Sequence, residues 1–326
     1  MRRLTLLPLL APALVAQLAK PFQPTAELNK PAMIGAERFI SGSKTIIEIG
    51  SLREITLQSA ELALTFGNHV ESVIAASNEK LLIMKGSVRN PEKTSSSQLG
   101  PSSLFGFRIW ERYQGAGKFQ FVAHFDAETL RHARSSLKPG ESAKFIGVWR
   151  VPADFNDFRL GLVYGQASKV AWYDLNASIA PLNSIFAATD GKGAVTSAKA
   201  PANTTIEVDG LALRIAPVTD PATFASAPRD PVKPRRVVNV TAANRLLLPV
   251  RWGWQYFTVE LLFTDGTAAK AYPEIVDQST GKPWVGDLAA GASTTCAFHF
   301  YPDKPRQVRA LRLTTIATGR TVELAF

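Results

Sequence analysis

The sequence predicts an all-β protein, two tandem antiparallel β-sandwiches behind a signal peptide. Apolar and polar residues alternate with period two through most of the chain, and the spacing of an amphipathic helix is nearly absent. The alternating runs are short and separated by turn-rich pieces such as Asn90-Pro91-Glu92-Lys93 and Lys138-Pro139-Gly140-Glu141. The 326 residues are 46% hydrophobic and 20% charged, enough apolar side chain to bury real cores and too little charge for a disordered chain.

The N-terminus stands apart from this pattern. Met1-Arg2-Arg3 is a short basic start, and residues 4–16 (LTLLPLLAPALVA) form an apolar run containing Pro8 and Pro12. The run is shorter than the ~20 residues needed to cross a bilayer. Basic start, apolar middle and small residues at the end predict a secretory signal peptide cleaved near Ala16. The expectation is an exported protein, periplasmic or extracellular, with no transmembrane segment in the mature chain. Residues 17–43 follow as an N-terminal extension.

Composition excludes several classes of function. The single cysteine, Cys296, rules out an internal disulfide framework, a four-cysteine zinc site and an iron–sulfur cluster. Four histidines leave little material for a histidine-rich metal centre, so no cofactor is expected. The formal charge of +10 falls to +8 without Arg2 and Arg3, and it is spread thinly. Nucleic-acid binders cluster theirs, so no nucleic-acid partner is expected.

Residues 44–176 read as the first sandwich, with strands at 55–66 (ITLQSAELALTF), 80–88, 104–110, 143–151, 158–164 and 170–175. The pieces at 94–103 and 154–157 are turns. Asp126 is placed to cap a short helix over 127–134. Residues 177–202, rich in Ala, Ser, Gly and Pro, have the composition of a linker. Residues 203–326 read as the second sandwich, with strands at 204–208, 211–217, 237–242, 256–263, 293–301, 308–315 and 321–326 and a Pro-rich excursion at 218–233.

The two halves resemble divergent copies. From Asn90 to Gly140 is 50 residues, and from Asn244 to Gly291 is 47, each glycine being introduced three residues earlier by Leu137 or Leu288. The following intervals to Pro152 or Pro302, to Leu160 or Leu311, and to Leu175 or Leu324 stay in approximate register. Five such agreements argue for duplication.

The run Leu137-Lys138-Pro139-Gly140-Glu141, then Phe145, 148–152 and Phe158-Arg159-Leu160, resembles the telokin-like immunoglobulin-fold domains of bacterial secreted proteins over about residues 44–176. The resemblance implies an immunoglobulin-like form for the sandwich. The second half keeps the outline but has Ala290-Gly291-Ala292 in place of the Pro-Gly-Glu turn and lacks a valine before Pro302. That family is of uncharacterised function and lends no catalytic residues, so the resemblance bears on fold and location only.

Motifs that carry chemistry are sparse. There is no Gly-x-Ser-x-Gly, and Gly42-Ser43-Lys44-Thr45 lacks the glycine spacing of a phosphate loop. Cys296 and His299 point to opposite faces of a strand, Cys296 into the core and His299 outward. His124, Asp126, Glu128 and His132 form the best metal or acid–base candidate. The first two share a strand face and the last two sit four apart on the expected helix. The other reading has Asp126 as a cap and Glu128 on a solvated surface. In Arg251 to Phe263, Phe257, Val259, Leu261 and Phe263 form a core face, which leaves Trp252, Trp254 and Tyr256 outside as a strip able to stack on sugar or peptide. An interdomain contact, or a bulge at Gly253 turning the tryptophans inward, explains the same residues.

The function expected is an exported, non-enzymatic binding or scaffold protein of the bacterial envelope. Its partner would be an envelope polysaccharide or another envelope protein. The alternatives are a metalloprotein or hydrolase using His124, Asp126, Glu128 and His132, and a carbohydrate-binding accessory module using Trp252, Trp254 and Tyr256.

Overall fold

The computed structural model describes residues 22–35, 39–40, 46–47, 52–93, 106–109, 119–134, 136–163, 169–218 and 234–326. The signal peptide, Gly42-Ser43-Lys44-Thr45, the 94–103 turn and all of the 218–233 excursion except Val218 lie outside the described residues. Every regular element among the described residues is a strand.

In the first half, a five-stranded antiparallel sheet has the order Ala32–Ile34, Arg53–Ala63, Glu79–Arg89, Ser142–Pro152, Gln120–Asp126. A three-stranded antiparallel sheet is built from Ala171–Asp174, Arg159–Val163 and Gly106–Ile109. Leu57, Leu82, Met84 and Phe145 from the first and Leu160, Leu162 and Tyr173 from the second belong to one buried cluster. Alternation explains most of this burial, and a bulge explains the exception. Ile55 and Leu57 point inward, the register slips between Leu57 and Ser59, and the inward set continues as Ala60 and Leu62. The Glu79–Arg89 strand is buried on both faces over residues 80–84. A hairpin of Thr65–Gly67 and Ser72–Ile74 covers its outer side, where Leu81 and Ile83 join Val73, Phe125 and Val148 in a second cluster.

The second half is likewise built of two sheets. One sheet runs Ile206–Val208, Leu211–Ile215, Arg236–Asn244, Ser293–Phe300, Val276–Asp277, all antiparallel. The other runs Ser197–Pro201, Thr321–Ala325, Val308–Thr315, Phe257–Phe263, Ala268–Lys270, with only its first pair parallel.

The repeat seen as spacing is a repeat of hydrogen bonding. Buried Asn90 takes its backbone N–H to the Glu141 carbonyl (2.9 Å) and its side-chain amide to the Leu137 carbonyl (3.0 Å). Buried Asn244 does the same to Ala292 (2.9 Å) and Leu288 (3.0 Å). Each asparagine therefore ties the end of one strand to the turn before the next, and Gly140 and Gly291 make that turn at φ +75 and +69. Beyond it the register is identical, Arg89 facing Ser142 and Ala243 facing Ser293. Three residues further in, Gly86 faces Phe145 while Val240 faces Cys296. A Cβ at Gly86 would lie 2.4 Å from the Thr56 carbonyl and 3.1 Å from the Phe145 ring, so the large ring requires the missing side chain. The second half fills the same place with a medium pair instead. Asn244→Ala is expected to cost about 1–3 kcal/mol, because Leu248 and Leu288 lose the amide donor and the buried Leu246 N–H its acceptor. Exposed Ser293→Ala, next to the same turn, is expected to stay within about 0.5 kcal/mol. Urea unfolding of both variants checks this.

Of the 177–202 segment, expected from its composition to be a linker, residues 179–194 pack along the first half, while Ser197–Pro201 form an edge strand of the second. Ala180 exchanges backbone hydrogen bonds with Ala60 and Leu62, Ala194 donates to Ala153, and Ile179, Leu182 and Phe186 are buried. The halves are joined directly at Arg320, whose guanidinium is buried. Nη1 donates to Asp209 Oδ1 at 2.6 Å and Nη2 to the Ala76 carbonyl of the first half at 2.9 Å. Asp209 also accepts from the Thr318 hydroxyl, and its carbonyl from the Tyr256 hydroxyl (2.8 Å).

Candidate functional site

The helix expected over 127–134 is replaced by a tight turn, and this correction decides the first candidate. Asp126 donates its N–H to Arg131 (2.8 Å) and accepts from Leu130 (2.9 Å), with Leu130 at φ 52. Asp126 does cap, but it caps that turn. Its Oδ1 accepts from the Glu128 N–H (3.1 Å), the Thr129 N–H (2.8 Å) and the Thr129 hydroxyl (3.0 Å), which hold its carboxyl below the usual range.

Without the helix, Glu128 and His132 do not share a face with the strand residues. Glu128 pairs with Lys144 on the surface (3.2 Å), and His132 stacks on Phe125 at 5.6 Å. His124 points to the other side of its strand, among the rings of Phe121, Trp149 and Phe145 at 4.7, 5.6 and 6.1 Å. Among the described residues no three His, Cys, Asp or Glu side chains gather as a metal would require.

Cys296 is buried, as expected, and accepts from the Trp252 indole N–H at 3.3 Å; burial pushes its thiol up. His299 lies on the outer face of the same strand yet is buried, because the 271–277 stretch covers that face. Tyr272 donates to the His299 carbonyl (2.7 Å), and Val276 packs on Ala297 and Val237. The Arg235 Nη2 stands 3.1 Å from its Nδ1.

Burial lowers His124 to about 3, and burial with the Arg235 charge lowers His299 to about 4. Between the ordinary histidine value of 6.5 and these values the unfolded chain takes up protons that the fold refuses. Stability is therefore expected to fall as pH drops from about 6.5 toward 4.5, by ~1.4 kcal/mol per unit for each histidine. Urea titrations across that window should show the slope, and His124→Leu should remove about half of it.

The aromatic strip is split, and Trp252 is corrected from the outer face to the core. Phe257, Val259, Leu261 and Phe263 fill the core face as expected. The strand begins only at Phe257, however, because the chain turns at Gly253 (φ +105), whose carbonyl accepts from the Tyr256 and Phe257 N–H groups. The turn carries Trp252 inward, 4% exposed, edge-on to Phe257 and Phe298 at 5.9 and 6.0 Å. Tyr256 is drawn to Asp209, and only Trp254, at 54%, stays in solvent. The pairing of Arg251 with Asp287 sets this turn at the same end as Val285, which is 90% exposed.

Sequence reasoning missed the most unusual polar group. Lys80 is wholly buried, and its ammonium donates to the carbonyls of Ala153 (3.0 Å), Phe155 and Lys192. Burial lowers it to about 8. Its place at the head of the apolar run Leu81-Leu82-Ile83-Met84 was the one available signal.

No protein-family model matches the chain, and no curated protein matches it. Among solved structures, the chain is similar to an uncharacterised beta-sandwich protein from Clostridium difficile 630, at 14% identity and a TM-score of 0.30, over 39% of this chain and 93% of that one. At that score the likeness adds nothing to the fold read directly from the strand pairing.

Proposed function

We propose that this chain is an exported, non-enzymatic binding or scaffold protein of the bacterial envelope, built on immunoglobulin-like sandwiches related to the telokin-like domains. The observation that carries this reading is the use to which reactive side chains are put. His124 sits among aromatic rings, Asp126 caps a turn, Lys80 is held by three carbonyls, and Asp209 is paired with Arg320. Each serves the fold, while Trp254 and Val285 remain in solvent at one end. The basic and apolar start of the sequence supports export. The partner on this reading is an envelope polysaccharide or another envelope protein.

Expression of the full chain in a Gram-negative host tests it. The expected result is a periplasmic product shortened by about the length of a signal peptide, carrying no metal after dialysis against a chelator-free buffer. Cytoplasmic retention, or zinc or manganese held at one ion per chain, would overturn the reading.

A further inference from the structure

A cavity of about 830 Å³ opens beside the buried lysine, within the ~300–1,000 Å³ typical of small-molecule sites. Its walls include Phe119, Gln120 and Phe121 at the start of an edge strand, Asn78 and Glu79 at the start of another strand, and Asp154 from the loop after Pro152.

The site is held in place from below. The Lys80 ammonium takes the carbonyls on both sides of Asp154, those of Ala153 and Phe155, and so turns the loop's backbone inward and leaves the Asp154 side chain exposed. Burying an ammonium is costly, and a fold that accepts the cost fixes the surrounding loop in one shape. The rings are fixed as well. Phe119 packs edge-on against Phe155 at 5.0 Å, and Phe121 lies against Trp149 and His124 at 5.9 and 4.7 Å. Both rings are only half-buried.

The charges of the site are close to balance. Glu79 accepts the Ala76 N–H (3.3 Å) and faces the Arg150 guanidinium at 3.8 Å, and Asp154 has Lys80 beneath its loop. Exposed amides on Asn78 and Gln120 add donors and acceptors in pairs. Half-exposed rings, paired planar polar groups and near-neutral charge suit a ligand with an apolar C–H face and adjacent hydroxyls.

We propose that this cavity binds a neutral saccharide, stacked on Phe119 and Phe121 and hydrogen-bonded by Asn78, Gln120, Glu79 and Asp154. The proposal deepens the binding reading above by giving it a site and a ligand class. It also moves that site away from the tryptophans.

Titration calorimetry of the mature chain with cellotriose, maltotriose and triacetylchitotriose, each to about 10 mM, tests it. At least one is expected to bind saturably. Gln120→Ala and Asp154→Asn, both at exposed side chains, should each weaken it roughly tenfold or more with unchanged melting temperature, while Trp254→Ala should leave it unchanged. Two outcomes would overturn the proposal: no binding of any trisaccharide by the folded chain, or binding insensitive to both variants. A chain that is exported and metal-free but silent toward all three sugars fails here alone, and the binding or scaffold reading stands. A metal-loaded or cytoplasmic chain fails the reading itself.

Discussion

Arg320→Ala is expected to destabilise the protein by about 3–5 kcal/mol, the cost of leaving one member of a buried ion pair without the other. Asp209 would be left without its ion-pair partner in a place that solvent does not reach, with the Thr318 hydroxyl still directed at its carboxylate. The Ala76 carbonyl would lose its donor from across the junction at the same time. Asp209→Ala should cost a similar amount. The double variant should be less damaged than the sum of the two by about 0.5–3 kcal/mol, since neither charge is then stranded. Urea denaturation of the four proteins gives the cycle, and strict additivity would show that the pair is not coupled.

Trp252→Ala and Trp254→Ala are expected to differ by most of the free energy of a buried aromatic residue. Trp252 fills space between Phe257 and Phe298 and gives the Cys296 sulfur its hydrogen bond, so truncation should cost about 3–5 kcal/mol. Trp254 stands in solvent on the turn, and its loss should stay within about 0.5 kcal/mol. Melting curves of the two variants decide between the split arrangement and a continuous outer strip, in which both losses would be small.

Period-two patterning made the strands legible because most sheets here bury one face, and the core positions of 257–263 follow from parity alone. Parity holds only while the strand is unbroken. At the bulge between Leu57 and Ser59 and at the Gly253 turn it resets, and no local residue announces by how much. The helix at 127–134 failed for a related reason: Asp126 caps a four-residue turn as well as it caps a helix, and both begin with the same hydrogen bonds. The Asn90 and Asn244 locks were legible as spacing, because a side chain that fixes a turn also fixes the distance to it. Lys80, Asp209 and Arg320 were not legible. Their partners are backbone carbonyls and each other, 73 to 112 residues away for Lys80 and 111 between Asp209 and Arg320. A carbonyl leaves no mark on the sequence.

The Lys80 cage joins positions 73, 75 and 112 residues apart in a chain with a single cysteine. In connectivity it resembles a three-way staple, yet it differs from a disulfide in what it leaves behind on unfolding. A covalent bridge persists in the unfolded chain and restricts it. An ammonium among carbonyls lets go completely, so it adds nothing to the order of the unfolded state and needs no oxidant to form again. Such a chain can open and close with no mispaired disulfide within it to trap it.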